Sequence, residues 1–572
     1  METDRKLARE PIALLLHLAS LVAALVVILV INWRMWFVGD DFDFLTRRGL
    51  HGATVSIWAP HGPHWSTLPI LMWRAIYVFA AMRTAAPYLV LLYLAHLALV
   101  HVLWRVMRSS GANTLVATLL CAVFAVLGWG ADDILWAFQI GFVSSLLLGW
   151  IVVLLLNRSR SNVAVDVLTC LLGIVALTTS GVAVSMLIVA GLLALVRRGW
   201  RVAAAISVPW AIVYGVWFAL EGHQTAANAV GKAPLHSVLA GIPAYVWSGI
   251  LYAFSAGSGS DTTAVGIAVI VALAGWVVWV LWRRSALRDT AAPALMGLVG
   301  IVVFFAVTAF GRDHFGADQT HASRYVYVAL AMALPAVGVA LSSLVQFRRE
   351  LAVAVVVLLL ASGVSNVVEL VTFRDGLDAL SLRSERQLIA AYRIGASQPT
   401  IPGTAATIAN LNAGYVSLAT VERIGRQGGL PTGVVPQPID VVDAAAEIQL
   451  ALTRDPVYPF RAGHAEIASV SRNYLAVSRT GCEVAVSRRG TWGFEVSVSQ
   501  PSSVQIAVQP GKPSTVHAHL VIAGVSSDVH AFVVGHGIYF LDIAADYPAV
   551  ALLSFTEGMS VTVCPGIAPP AS

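Results

Sequence analysis

The chain has 572 residues, of which 58% are hydrophobic and only 12% are charged, and its formal net charge is +5. Soluble domains are roughly 45–50% apolar and about 25% charged, so this composition excludes an ordinary soluble protein. The basic residues are spread between hydrophobic segments and form no continuous basic run, which argues against a nucleic-acid partner. The apolar excess ends near residue 373, which predicts a membrane domain over residues 1–372 and a soluble tail.

Eleven apolar runs are predicted to be transmembrane helices, each of which needs about 20 mostly apolar residues. Short cytoplasmic loops collect Arg and Lys, so the basic loops predict a cytoplasmic N-terminus and an extracytoplasmic tail. Two further apolar stretches, Thr67–Met82 and Ile242–Ser255, are predicted to lie at the outer interface, because a full crossing by either would place basic loops outside. The predicted spans are 11–32, 86–104, 112–130, 140–156, 163–180, 182–197, 202–220, 264–282, 292–310, 325–345 and 351–372.

An acidic pair, Asp40 and Asp41, directly follows the first predicted span and stands between large aromatic residues in the sequence WFVGDDFDF. Aromatic neighbours shield carboxylates from water, and a shielded acid at a membrane rim suits general-base work or metal binding. The alternative is that these acids are solvated loop residues or that they cap the next helix. Asp43, a little further on, is interpreted as structural.

The next outer loops supply candidates for substrate binding. His64 and Trp65 lie in the first of them, where the spacing from His61 to His64 could hold a metal, but no third ligand is nearby, so a polar cavity wall is favoured over zinc. Asp132 and Gln139 lie in the second outer loop. At Asp132 a helix cap is an equally good interpretation.

A third outer loop carries Arg312 and ends at Arg324 and Tyr325, where a later span begins. Arg324 stands at the depth of a lipid phosphate, and a guanidinium can bind phosphate through two parallel hydrogen bonds. An arginine outside also runs against the usual distribution of basic residues. The alternative is that Arg324 only extends to lipid headgroups.

The composition of the tail becomes that of a soluble domain. Residues 373–460 are predicted to be a helical or α/β connector that begins with an amphipathic helix over Arg374–Gln398. Short alternating runs such as Phe494–Val498, Val504–Val508 and Val516–Ile522 recur between Gly, Ser and Pro turns and predict a β-sandwich over residues 461–572. Cys482 and Cys564 are candidates for a disulfide, although spacing does not show whether their strands are neighbours. Glycan binding and a structural lid are both compatible with this domain.

The acids Asp40 and Asp41, the interfacial stretch His64–Met82 and the loop from Arg312 to Tyr325 resemble the GT-C superfamily of membrane glycosyltransferases over about residues 1–372. A polytopic α-helical membrane domain with a β-rich outer domain is similar in particular to the actinobacterial arabinofuranosyltransferases. The resemblance implies a polyprenyl-phosphate sugar donor, a cell-envelope glycan or glycolipid acceptor, and inverting transfer on the outer face of the plasma membrane bilayer.

The resemblance also implies residue roles. Asp40 matches the first acid of the family's pair, which takes the proton of the acceptor hydroxyl. Asp41 matches the second acid, usually Glu, which orients the acceptor or, in some members, serves a divalent metal; no metal-ligand set is assigned and no other cofactor is implied. Arg324 would hold the leaving phosphate, where charge builds up in the transition state. A transporter or flippase for a lipid-linked substrate is the alternative, although its ionisable residues would lie near the midplane.

Overall fold

The computed structural model describes residues 2–158, 162–223, 235–283, 285–312, 316–348, 350–399, 401–411, 413, 415–453, 465–469, 482–486, 492–508, 514–528, 530–535, 537–545, 547–555 and 560–564. The chain divides into two compact units. The helical unit comprises Met1–Met35, Thr54–Ile76 and Ala85–Asp378, and the tail unit comprises Trp36–Ala53, Tyr77–Thr84 and Ala379–Ser572. The sequence did not indicate that two segments of the first outer loop, Trp36–Ala53 and Tyr77–Thr84, belong to the tail unit. The predicted boundary at residues 460 and 461 lies outside the described residues.

Helices form most of the described chain. They are α1 Glu2–Ile31, α2 Thr67–Ala80, α3 Ala86–Ser109, α4 Thr114–Ala125, α5 Asp132–Leu135, α6 Ile140–Leu156, α7 Val163–Leu177, α8 Val182–Arg198, α9 Trp200–Trp217, α10 Leu235–Gly257, α11 Thr263–Arg283, α12 Ser285–Arg312, α13 Ser323–Phe347, α14 Leu351–Ser397, α15 Leu418–Arg426 and α16 Pro438–Gln449. Short helical turns occur at Asp43–Arg47, Gly128–Gly130, Ala137–Gln139, Phe218–Gly222, Ala317–His321 and Ala409–Leu411.

Nine helical segments in the described part of the chain are long and apolar enough to cross a membrane, which suggests a multi-pass membrane protein. They are Ile12–Ile31, Ala86–Ser109, Ala137–Leu156, Trp200–Gly222, Val238–Gly257, Thr263–Trp282, Asp289–Arg312, Ser323–Phe347 and Leu351–Ser397.

Nine membrane-length helices in the described residues stand against eleven predicted spans, because three predicted spans are shorter helices and one predicted interfacial stretch belongs to a longer helix. The predicted spans 112–130, 163–180 and 182–197 correspond to α4, α7 and α8, which have 12, 15 and 17 residues. The stretch Ile242–Ser255, predicted to lie at the interface, belongs to the longer helix α10, which continues through Pro243. By length and composition α10 is among the nine, because the helix begins before the apolar run that the sequence displays.

The helices of the helical unit approach closely where one partner is glycine. A Cβ at Gly297 on α12 would overlap the Met332 carbonyl oxygen on α13. A Cβ at Gly338 on α13 would lie 2.5 Å from the Met107 sulfur on α3. Small residues of this kind let helix backbones pack closely in an apolar medium, where the hydrophobic effect gives little help.

The tail unit contains two antiparallel sheets that share one hydrophobic core. The first has the strand order β1-β9-β5-β11-β3, and the second has β2-β4-β10-β6-β7 with β8 beside β6. The strands are β1 Leu450–Thr453, β2 Ala465–Ser469, β3 Glu483–Val486, β4 Trp492–Val498, β5 Ser502–Val508, β6 Ser514–Ile522, β7 Val525–Ser526, β8 His530–Val534, β9 Gly537–Ile543, β10 Ala549–Phe555 and β11 Ser560–Cys564. Alternate residues such as Phe494, Val496 and Val498 are buried, as the period of two requires.

Cys482 and Cys564 are joined by a disulfide. Strand β3 begins directly after Cys482, and strand β11 ends at Cys564. The two strands are antiparallel neighbours, with Glu483 opposite Val563. The two cysteines therefore meet at one end of the same strand pair. The sequence separation of 82 residues makes this a long closed loop.

Removing this disulfide should destabilise the tail. For a loop of 82 residues the chain-entropy relation gives about 4.5 kcal/mol, because the cross-link restricts the unfolded chain. We expect the variant with both Cys482→Ser and Cys564→Ser to lose resistance to proteolysis in the tail at lower temperature than the wild type. The matched control replaces Cys121 and Cys170, which are free thiols, with Ser. Equal proteolysis of the two variants would contradict the expectation.

Candidate functional site

The predicted acidic pair lies on a tight turn of the tail unit. Gly39 has a φ of 49°, a conformation that favours glycine, and the turn places Asp40 and Asp41 directly before a short helical turn. Asp41 is 1% exposed, and one of its carboxylate oxygens accepts the Val38 amide hydrogen at 2.9 Å. Asp40 is half-buried, so it is the more accessible carboxylate of the pair. A general base needs this access to the acceptor hydroxyl.

Asp43 has the structural role expected from the sequence. Its carboxylate is buried and forms an ion pair with Arg48 at 2.6 Å, and Arg47 lies 3.6 Å from its second oxygen. A buried acid with such partners holds the loop in one conformation.

Tyr415 packs against the acidic turn, a contact that no pattern in the sequence indicated. Its hydroxyl donates to the Gly39 carbonyl oxygen at 3.1 Å, and the Arg47 guanidinium lies 5.2 Å from its ring centroid. Burial, together with the negative charges of Asp40, Asp43 and Asp41, raises the pKa of the Tyr415 hydroxyl, which therefore stays protonated. Tyr415 is thus a hydrogen-bond donor that fixes the turn immediately before Asp40.

The substrate-binding candidates lie in the helical unit, and four of them come together. Asp132 and Arg324 form an ion pair at 3.7 Å, and the Arg324 backbone amide also donates to the Asp132 carboxylate. The positive charges of Arg312 and Arg324 both act on the His64 ring. We call His64, Asp132, Asp133, Arg312 and Arg324 the loop cluster.

His64 is fixed by a backbone contact to the start of α8. The Gly181 amide donates to the His64 Nδ1 at 3.1 Å, which leaves the Nε2 as the protonated nitrogen. The main-chain groups of His61 and His64 also bond to each other at 2.9 and 3.0 Å. Burial, and then the charges of Arg312, His61 and Arg324, lower the pKa of His64 to about 3. His64 is therefore a neutral hydrogen-bond donor in this structure.

A pH dependence of stability follows from His64. Its folded pKa lies below the usual value, so the unfolded chain binds the proton first and stability is lost as the pH falls from about 6.5 towards 3. We expect His64→Gln, which retains a hydrogen-bond acceptor, to lose less stability than the wild type between pH 7 and pH 4 in thermal melts. His51, an exposed histidine, supplies the matched control in His51→Gln. Parallel pH curves for wild type and His64→Gln would exclude the His64 contribution.

Asp133, the neighbour of Asp132 in the second outer loop, is the most deeply buried acid of the loop cluster. It is 0% exposed, and both its carboxylate oxygens lack a hydrogen-bond partner among the described residues. Burial, and then the negative charge of Asp132, raise its pKa well above the usual value, while Arg324 acts in the opposite direction. Burial also raises the pKa of Asp132, again against the influence of Arg324. Arg324 thus favours the ionised form of both acids, against the effect of their burial.

Asp133 should therefore reduce stability at neutral pH. Because its folded pKa is raised, the folded protein holds the proton longer than the unfolded chain, and stability decreases as the pH rises above about 4. Asp133→Asn removes this penalty with little change in shape, and we expect Tm at pH 7 to rise by about 2 °C. Asp132→Asn, which loses the ion pair with Arg324, should not raise Tm. A lower Tm for Asp133→Asn in differential scanning fluorimetry would contradict this account.

The remaining candidates shape the surroundings of the loop cluster. Trp65 is 6% exposed, stacks on Trp217 with ring centroids 5.0 Å apart, and donates to the Thr67 hydroxyl at 2.8 Å. Tyr325 is 3% exposed and packs edge-on against Phe304. Gln139 is 2% exposed, and its side-chain oxygen has no partner in the described part of the chain. Trp65 therefore packs against Trp217, and Tyr325 also contacts the Arg324 guanidinium, which lies 5.3 Å from its ring centroid.

The described residues contain no group of three or more His, Cys, Asp or Glu side chains that could hold a metal ion.

No protein-family model matches the chain, and no similarity to a curated protein or to a solved structure is found.

Proposed function

We propose that the chain is a membrane glycosyltransferase that moves a sugar from a polyprenyl-phosphate donor to a cell-envelope glycan or glycolipid on the outer face of the membrane. The observation that carries the proposal is the position of Arg324 at the start of the membrane-length helix α13, with its side chain 26% exposed. The positive charges of Arg312 and Arg324 both act on the neutral His64. Such a group of donors beside an apolar bundle suits the phosphate of a lipid-linked donor.

The proposed reaction is a single displacement. The acceptor hydroxyl oxygen attacks the anomeric carbon, and its proton passes to Asp40. The bond between the anomeric carbon and the phosphate oxygen breaks, and the bonding electrons leave with the polyprenyl phosphate, whose charge Arg324 stabilises. Attack from the side opposite the leaving group inverts the anomeric configuration. Asp41, which accepts the Val38 amide, positions Asp40 by holding the turn.

The tail is proposed to be a β-sandwich that assists this reaction by contacting glycan or by covering the acceptor. Support comes from the two antiparallel sheets whose buried residues form one core.

A reconstituted transfer assay tests the proposed function. Purified protein in liposomes would receive radiolabelled polyprenyl-phosphate arabinofuranose, or the corresponding hexose donors, together with an envelope glycan extract. We expect label in the glycan with inverted anomeric configuration, measured by NMR of the product. Movement of intact donor across the bilayer without transfer would overturn the proposal in favour of the transporter.

A further inference from the structure

The last turn of α2 belongs to the tail unit and presents two large apolar side chains. Val78 is 72% exposed and Phe79 is 62% exposed. The sequence predicted α2 to lie at the outer interface, and a helix in that position buries such side chains at the boundary between headgroups and acyl chains. This turn therefore provides the apolar part of a surface that contacts lipid.

Backbone contacts join this turn to the end of α15 within the tail unit. The Met82 amide, just after α2, donates to the Gly429 carbonyl oxygen at 3.0 Å. The Gly429 amide in turn donates to the Ile424 carbonyl oxygen at 2.9 Å. Arg423 precedes Ile424 in the last turn of α15, and its positive charge reaches the Tyr77 hydroxyl on α2. The contacts therefore bring a cationic side chain to the exposed end of α2.

The guanidinium of Arg423 is partly enclosed by the tail unit. Gly52, which has a φ of 66°, packs directly against it, and a Cβ at Gly52 would overlap its Nη1 atom. Among the described residues no carboxylate forms an ion pair with Arg423, and its buried Nε has no hydrogen-bond partner. A half-buried cation without a counter-charge favours the binding of an anion beside it.

Tyr77 supplies a neutral hydrogen-bond donor beside Arg423. Burial raises the pKa of the Tyr77 hydroxyl, against the effect of the Arg423 charge, so the hydroxyl stays protonated. The exposed His51 packs edge-on against the Tyr77 ring, with ring centroids 6.2 Å apart. A guanidinium and a hydroxyl at one place are the donors that the oxygens of a phosphate group accept from.

The neighbouring charges favour a headgroup with a net negative charge. Glu422, the acid next to Arg423 in the chain, is paired with Arg426 at 3.2 Å. The exposed Arg83 donates to the backbone carbonyl oxygens of Phe79 and Ala80 and so adds a positive charge at the end of α2. A headgroup whose phosphate is neutralised by its own ammonium gains less from these cations than an anionic one.

We propose that Arg423, Tyr77 and the exposed end of α2 bind an anionic phospholipid, with its phosphate at the guanidinium and its acyl chains against Val78 and Phe79. The bound lipid attaches the tail unit, which includes the acidic turn, to the membrane surface. This site is separate from Arg324, where the proposed function places the phosphate of the sugar donor, and it does not depend on that function.

The first experiment measures arginine protection in the wild-type protein. Full-length protein in nanodiscs of phosphatidylcholine, with or without phosphatidylglycerol, is treated with phenylglyoxal, and the modified arginines are identified by mass spectrometry of peptides. We expect phosphatidylglycerol to slow the modification of Arg423 about tenfold, which corresponds to about 1.4 kcal/mol. Arg426, which lies in the same helical turn with its side chain 67% exposed, should be modified equally in both nanodiscs. Inorganic phosphate added to phosphatidylcholine nanodiscs should not protect Arg423.

The second experiment compares two variants by native mass spectrometry of detergent-purified full-length protein titrated with phosphatidylglycerol. Arg423→Gln should weaken the tightest lipid-binding step about tenfold, whereas the matched control Arg426→Gln should not. Folding of Arg423→Gln, followed by its Tm, should be retained, because the substitution removes no ion pair in the described part of the chain. The protection of wild-type Arg423 decides the question even if this variant does not fold.

Three results would overturn the inference. Equal slowing at Arg423 and Arg426 would show only general contact with headgroups. Protection of Arg423 by inorganic phosphate as strong as that by phosphatidylglycerol would show a site for a free anion. Wild-type lipid affinity in Arg423→Gln would show that the guanidinium does not bind the headgroup. Neither experiment measures sugar transfer, so failure of the lipid site and failure of the proposed function remain distinguishable.

Discussion

Asp40→Asn is expected to lower the rate of sugar transfer by about 10²–10⁴-fold, the usual contribution of a positioned general base. Asn has nearly the same shape as Asp but cannot accept the proton of the acceptor hydroxyl. Asp40 is the half-buried member of the acidic turn, whereas Asp41 and Asp43 are buried and bonded to Val38 and Arg48. The loss should therefore appear in kcat, measured in liposomes at saturating donor and acceptor.

The control for this prediction is Asp375→Asn, which neutralises an acid whose side chain is 65% exposed on α14. It should retain wild-type transfer. Tm of the Asp40→Asn variant should stay near that of the wild type, since Asp40 is only half-buried. Wild-type kcat in Asp40→Asn would remove this residue from the reaction.

Arg324→Ala is expected to reduce kcat/KM for the donor by about 10²–10³-fold, because an electrostatic contact to the leaving phosphate is lost where its charge increases. Arg324→Lys keeps the charge but cannot form two parallel hydrogen bonds, so it should restore only part of the activity. The measurement is the initial transfer rate as a function of donor concentration, with donor binding followed separately by equilibrium dialysis of polyprenyl phosphate.

A structural effect of Arg324→Ala can be separated from a catalytic one. The substitution leaves the carboxylates of Asp132 and Asp133 without their cation, which destabilises the loop cluster. Adding Asp132→Asn should therefore recover stability but not donor binding. Arg374→Ala is the matched control, because Arg374 is 30% exposed and also lies beside acids, Asp375 and Asp378. Donor affinity unchanged in Arg324→Ala would refute the phosphate contact.

The tail shows how far a residue pattern can specify a fold. The predicted runs Phe494–Val498, Val504–Val508 and Val516–Ile522 each fall within an observed strand, because the alternation of apolar and polar residues is a local property. Strand order is not local. β11 lies between β5 and β3, which brings Cys564 to Cys482 across 82 residues of chain.

The membrane-length helices show the corresponding limit for helix ends. Hydropathy located the strongly apolar runs, but the observed helices α4 and α7 stop after 12 and 15 residues, and α10 begins earlier than its apolar run. Helix ends depend on caps, such as the Asn113 side chain that accepts the Leu115 amide, and on neighbours in space.

The sequence by itself determined the class of the protein, the approximate position of its apolar segments and the residue types available for chemistry, since composition and periodicity depend only on neighbours along the chain. The tertiary structure decided which of those residues meet. It joined Asp132 to Arg324 across 191 intervening positions, buried Asp133 without a partner among the described residues, and placed Tyr415 against Gly39. Those contacts join residues that lie far apart along the chain, and a local residue pattern does not specify which distant residues meet.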